Sequence, residues 1–108
     1  MMETGVDLDS GAEQIPGSLM LYPNYPNPFN AGTSIRYYVP ERMAVRLAVY
    51  DVKGRRVRIL RDAVESAGEK RVTWDGTDDF GRGVSSGIYL ARLEGEGKVS
   101  VQKLLLQK

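Results

Sequence analysis

Asp75, Asp78 and Asp79 are the residues of this sequence best suited to chemistry, because carboxylates spaced along a Gly-containing loop can hold a hard cation or exchange protons. Their spacing matches no EF-hand loop, which needs a mid-loop Gly and a closing bidentate Glu. Acid/base work on a glycosidic bond would also need a cleft, and a chain this short has little room to build one. The simpler use of such aspartates is to cap turns by accepting nearby backbone N–H groups. The expectation is therefore turn structure, with no catalytic residues, no bound metal and no cofactor.

A basic set follows Gly54: Arg55, Arg56, Arg58 and Arg61. These arginines could meet an anionic glycolipid or an acidic partner. Strand alternation places Arg56 and Arg58 on one face, opposite Val57 and Ile59, where they could equally be solvated edge charge that blocks sheet-to-sheet association. An aromatic set, Tyr22, Tyr25, Phe29, Tyr38 and Tyr50, could form a platform for a sugar ring. Packing of the proline-rich stretch against a sheet explains these rings better, although Tyr38 and Tyr50 fall on faces opposite the expected core and keep carbohydrate binding open.

What is missing narrows the chemistry further. The sequence has neither cysteine nor histidine, so disulfides, Cys/His zinc sites, Cys–His pairs, Ser–His–Asp triads and thiol redox roles are excluded together. The 108 residues, 42% hydrophobic and 27% charged, suit one globular domain with one modest core. No apolar run approaches the ~18 residues of a membrane span. Net charge is +1, with −4 on residues 1–32 and the compensating excess spread over the remainder without a basic block. That distribution argues against nucleic-acid binding.

The elements that position these residues read as strands. Residues 1–18 mix acidic, Gly and Ser residues around isolated apolar ones and are expected to be a disordered acidic linker, with the folded domain at 19–108. No secretory signal pattern opens the sequence, so export would depend on a signal elsewhere in a longer parent. From Leu19 onward, short apolar runs alternate with Gly, Pro and Asp/Asn turns. Leu19–Tyr22 is a first strand, stopped by Tyr22–Asn30, whose prolines cannot donate to a ladder. Thr33–Val39, Ala44–Tyr50, a run carrying Val57 and Ile59, Arg71–Trp74, Ile88–Glu94 and Lys98–Leu106 complete seven.

Period-2 alternation predicts a core of Ile35, Tyr37, Val45, Leu47, Val49, Val57, Ile59, Val72, Trp74, Tyr89, Ala91 and Leu93. In the last strand Val99 and Val101 are odd-numbered while Leu104 and Leu106 are even. A β-bulge near Gln102–Lys103 would reconcile the two halves. Seven strands with closely spaced turns and no helical crossover predict an all-β fold, a seven-stranded antiparallel Ig-like β-sandwich.

Three stretches, Tyr22–Asn30 (YPNYPNPFN), Val49–Val57 (VYDVKGRRV) and Trp74–Tyr89 (WDGTDDFGRGVSSGIY), together resemble the C-terminal sorting domain of the type IX (Por) secretion system, which is related to the Ig-like domain of flagellar hook-capping proteins. The resemblance covers Leu21–Lys108. It departs from the usual pattern at Ala31, where Pro is frequent, and at Asp62–Ala63, where a glycine is usual.

The resemblance implies a non-catalytic module at the C-terminus of a larger secreted enzyme or adhesin. That module would be read by outer-membrane secretion machinery after passage through the periplasm of a Gram-negative bacterium. The cargo would then be attached to the cell surface, with surface glycolipid or polysaccharide as a further partner. Within it, Lys98–Lys108 is the expected signal, with Lys103 and Lys108 as translocon-recognition residues on an edge strand open to strand addition. A spacer or carbohydrate-binding accessory module of a secreted glycoside hydrolase, and a hook-capping-type assembly domain, are the alternatives.

Overall fold

The structure, a computed structural model, describes residues 17–108. The linker expected over residues 1–18 therefore lies outside the described residues, except for exposed Gly17 and Ser18. Seven strands follow: β1 (Met20–Leu21), β2 (Thr33–Val39), β3 (Met43–Asp51), β4 (Arg56–Glu65), β5 (Gly68–Trp74), β6 (Gly87–Gly95) and β7 (Lys98–Leu106). They form two antiparallel sheets, one ordered β1-β2-β5 and the other β4-β3-β6-β7. This is the expected all-β sandwich.

Alternation drives the burial. Ile35, Tyr37 and Val39 of β2 and Met43, Val45, Leu47 and Val49 of β3 turn inward, while the residues between them on β2 are partly exposed. At the centre Trp74 packs tilted on Phe29 at 5.5 Å between ring centroids and edge-on to Tyr89 at 5.3 Å. Large aromatic rings contribute much of a small core's stabilisation because each removes a wide apolar area from water. Leu104 and Leu106 of β7 close the layer and are fully buried. Phe29, from the proline-rich stretch, is core and not part of a sugar platform.

Expectations fail on two strands, β4 and β7. In β4 the partners of Leu47 and Ala48 jump from Arg61 to Ile59, and those of Val49 and Tyr50 from Arg58 to Arg56. Leu60 and Val57 are thus extra residues at two bulges, and both pack against the core as half-buried side chains. Paired residues share a face. Arg58 therefore lies with inward Val49 and Arg56 with Tyr50 on the outer face, so the two arginines do not share a side. Ile59, opposite Ala48, belongs to the outer face instead of the core. Val72 is half-buried.

In β7 the register against β6 runs unbroken from Lys98 to Leu106, without the expected bulge. The phase is constant: Ser100, Gln102, Leu104 and Leu106 face inward, and Val99 and Val101 are exposed at 52% and 48%. Two polar side chains take inward positions because β1 needs them. The Leu21 N–H donates to Ser100 Oγ at 3.2 Å, and Gln102 Nε2 donates to the Leu21 carbonyl at 3.1 Å. These bonds tie one sheet to the other across their edges.

Candidate functional site

Two five-residue turns of the same Asp-x-x-Gly-Arg pattern, Asp51-Val-Lys-Gly-Arg55 and Asp78-Asp-Phe-Gly-Arg82, organise one end of the sandwich. In each, the Gly N–H donates to the Asp carbonyl at 3.0 Å and the Asp N–H donates to the Arg carbonyl, at 2.9 Å in the first and 2.8 Å in the second. One carboxylate oxygen accepts the N–H of the residue two positions on and of the Arg, at 2.9 and 3.0 Å in both turns. The other oxygen accepts the Arg Nε, at 2.9 and 3.1 Å. Gly54 and Gly81 sit at φ 84° and 82°, a left-handed conformation that costs other residues strain.

These bonds fix the electrostatics. Asp51 and Asp78 are held below the ordinary carboxylate range, first by the backbone N–H of Arg55 and of Arg82 respectively. Asp75 is lowered in the same way, chiefly by the Thr77 hydroxyl, with Arg58 adding to it. Asp79 extends the second turn to β4: its N–H donates to the Val57 carbonyl, and its Oδ1 accepts the Ile59 N–H, both at 2.9 Å. The aspartates thus spend their oxygens on backbone and arginine. Among the described residues no group of three or more such side chains gathers as a metal-holding set.

The arginines are paired, not presented as an open cationic patch. Arg55 pairs with Asp51 at 2.9 Å, Arg56 with Asp79 at 3.4 Å and Arg61 with Glu65 at 3.3 Å. Arg58 reaches the loop after β5, donating to the Thr77 hydroxyl and to the Asp78 carbonyl. Arg55, Arg56 and Arg58 gather around the twin turns. Arg61 is apart, at the rim where the Tyr37 hydroxyl donates to Glu65 at 3.3 Å. Burial raises the Tyr37 pKa above its ordinary value, so that hydroxyl stays a donor.

Around these turns lie open depressions of about 640 and 490 Å³, both bordered by Asp51, Arg55 and Val84. Phe80, 80% exposed at the tip of the second turn, lies 5.1 Å from the Arg82 guanidinium. Sequence reasoning passed over Phe80, although an aromatic at a turn tip was a usable signal. Tyr38 and Tyr50 are on different sheets, each on an outer face, so they do not form one platform.

The C-terminal strand carries the other predicted residues. Lys103 and Lys108 are both exposed, Lys103 on β7 and Lys108 beyond it. The Lys108 N–H donates to Ser86 Oγ at 3.0 Å, and its Nζ stands so close to Gly83 that a Cβ there would be 3.1 Å away. The β7 edge beside Lys103 is not open. Asn27 Nδ2 donates to the Lys103 carbonyl at 3.3 Å, Asn27 Oδ1 accepts the Leu105 N–H at 3.0 Å, and Phe29 exchanges backbone bonds with Leu105 and Gln107 at 2.9 and 2.8 Å.

Asn30 adds a bond to the Gln107 carbonyl. The segment Asn27–Asn30 thus acts as a surrogate strand. Its role was missed in the sequence because a stretch with three prolines reads as one that cannot pair; here the asparagine side chains supply what the prolines lack.

Comparison with known proteins places this architecture. The family model for the FlgD Ig-like domain matches residues 28–98. Among solved structures, dimeric latent PorU from Porphyromonas gingivalis superposes with a TM-score of 0.66 at 22% identity, over 77% of this chain and 9% of that one. FlgD from P. aeruginosa gives 0.56 at 23% identity, over 76% and 70%. PorZ of P. gingivalis, described as an essential surface component of the type-IX secretion system, gives 0.53 at 20% identity, over 82% and 11%. The chain is thus similar in fold to a small part of PorU and PorZ. No curated protein matches it. With its sandwich topology and a family match over most of its length, the chain belongs to the FlgD Ig-like domain family.

Proposed function

We propose that this domain is a non-catalytic C-terminal module that directs a larger protein across the outer membrane by type IX secretion and attaches it to the cell surface. The observation that carries this reading is the likeness of most of this chain to segments that make up 9% and 11% of two much larger P. gingivalis proteins, one a surface component of that system. The paired aspartates and arginines support a structural use of the residues that could otherwise do chemistry. Lys103 and Lys108 are the recognition residues in this reading. Because Asn27–Asn30 covers the adjoining edge, they are read as side chains and not by strand addition there. Arg55, Arg56, Arg58 and Arg61 serve anionic-surface contact only where a partner competes with their carboxylates.

The match to the FlgD Ig-like family, and to a P. aeruginosa FlgD of which 70% is covered, favours a second reading as an assembly domain of hook-capping type. One experiment separates the two. A reporter carrying a signal peptide and this domain is expressed in a Gram-negative host with a type IX system, and surface display and melting temperature are both measured. Display that is lost on Lys103→Ala or on removal of Gln107–Lys108, with the melt unchanged, supports sorting. Absence of display from the intact, folded domain overturns it and leaves the assembly reading.

A further inference from the structure

The two halves of the β7 edge are treated differently. Lys103, Leu105 and Gln107 direct backbone groups outward to Asn27 and Phe29. Since backbone groups alternate along a strand and the β6–β7 register is unbroken, Val99 and Val101 direct their N–H and C=O groups to the same edge. Among the described residues none bonds them. Their side chains are also the exposed apolar ones of this strand, and β-branched residues beside unpaired backbone are a template for pairing.

We propose that Lys98–Gln102 is a self-pairing edge, on which two copies of this chain join antiparallel about a two-fold axis at Ser100. Three features select a second copy as the occupant. The open stretch is bounded on one side by the Glu96–Gly97 turn and on the other by the Asn27 cap at Lys103, and it is centred on Ser100. Rotation about Ser100 brings Val99 opposite Val101 of the other copy. Both are edge-directed, so each such pair exchanges its two N–H···O bonds.

The same rotation sets Lys98 opposite Gln102 and Lys103 opposite Gly97, beside Glu96, so no like charges face each other. A centre moved to Val101 would instead set Val99 against Lys103, whose carbonyl is already taken by Asn27. The result is one continuous sheet of two four-stranded halves. This surface goes beyond the sorting reading, and removal of Gln107–Lys108 leaves it intact.

Sedimentation velocity on the whole chain across a concentration series tests the pairing. The expected result is a monomer–dimer equilibrium. Val101→Pro deletes an N–H that β6 does not use, so it should weaken the dimer about tenfold or more, while Val101→Thr dimerises like the parent. Because the protein has no cysteine, Ser100→Cys gives a single thiol. Opposed non-hydrogen-bonded Cα atoms lie about 4.5 Å apart, within disulfide reach, so this variant should oxidise to a covalent dimer while Lys53→Cys does not. A chain monomeric at millimolar concentration overturns the proposal. So does a dimer indifferent to Val101→Pro, or a Ser100→Cys variant that fails to cross-link, which would mean another register or another occupant of the edge.

Discussion

The two Asp-x-x-Gly-Arg turns share hydrogen bonds nearly to a tenth of an ångström yet do different work. The first only joins β3 to β4. The second sits inside the long β5–β6 connection, is hung from the core by the Trp74 Nε1 bond to the Thr77 carbonyl at 2.8 Å, and uses Asp79 to occupy the edge of β4. Local sequence therefore sets the conformation of a turn, while its use depends on one neighbouring side chain and on what the core anchors beneath it.

That contrast breaks most sharply at Trp74. Trp74→Ala should cost roughly 3–5 kcal/mol, enough to unfold a marginal domain. In urea-unfolding and amide-exchange measurements on Trp74→Phe, which keeps bulk but loses the donor, protection should fall first around Thr77–Arg82 and not at Asp51–Arg55. Equal loosening of both turns would mean that the anchor is unimportant.

Asp78→Ala and Asp51→Ala each remove an acceptor for two backbone N–H groups and should lower the unfolding midpoint measurably. Asp78→Ala should be the costlier, because its turn carries Asp79. Faster exchange of the Ile59 amide in that variant alone would sharpen the comparison; identical losses would erase it. Gly54→Ala and Gly81→Ala should cost roughly 1 kcal/mol each, equally, since a side chain meets no atom within 4 Å at either site and only the positive φ opposes it.

The smallest effect is on acid sensitivity. Asp51, Asp75 and Asp78 have folded-state pKa values below the ordinary one, so their contribution is present above an unfolded value of about 3.9 and is lost as pH falls through the folded values. Denaturation midpoints should hold from neutrality to about pH 5 and decline below about pH 4. An Asp51→Asn/Asp78→Asn pair should flatten that decline, and an unchanged slope would locate the acid response elsewhere.

Legibility in the sequence followed regularity. The bounds of β2 and β7 are readable to the residue because turns flank them, and the buried Ile35, Tyr37, Leu47, Val49, Trp74 and Leu93 follow from the alternation of their strands. β4 defeats period-2 reasoning because the bulges at Val57 and Leu60 reverse the alternation twice, which sent Ile59 to the wrong face and joined Arg56 with Arg58. Val99 and Val101 suggest a bulge because, by hydrophobicity alone, exposed valines look like inward ones. The inward Ser100 and Gln102 answer to Leu21, a partner about 80 residues away that no local pattern reveals. The arginine cluster was visible as a run of charge, but its neutralisation by Asp51, Asp79 and Glu65 is a matter of register.

The clasp of Asn27–Asn30 over β7 also sets the order in which the domain can be completed. Its bonds join positions separated by 76 to 78 residues, and Leu104 and Leu106 of the same strand close the core over Trp74 and Tyr89. A polypeptide lacking β7 has neither the clasp nor that cover. Contacts of such separation form late, because the intervening loop must be closed before they return any free energy. The sandwich is accordingly a last-strand device, expected to gain its full closure only when β7 is added.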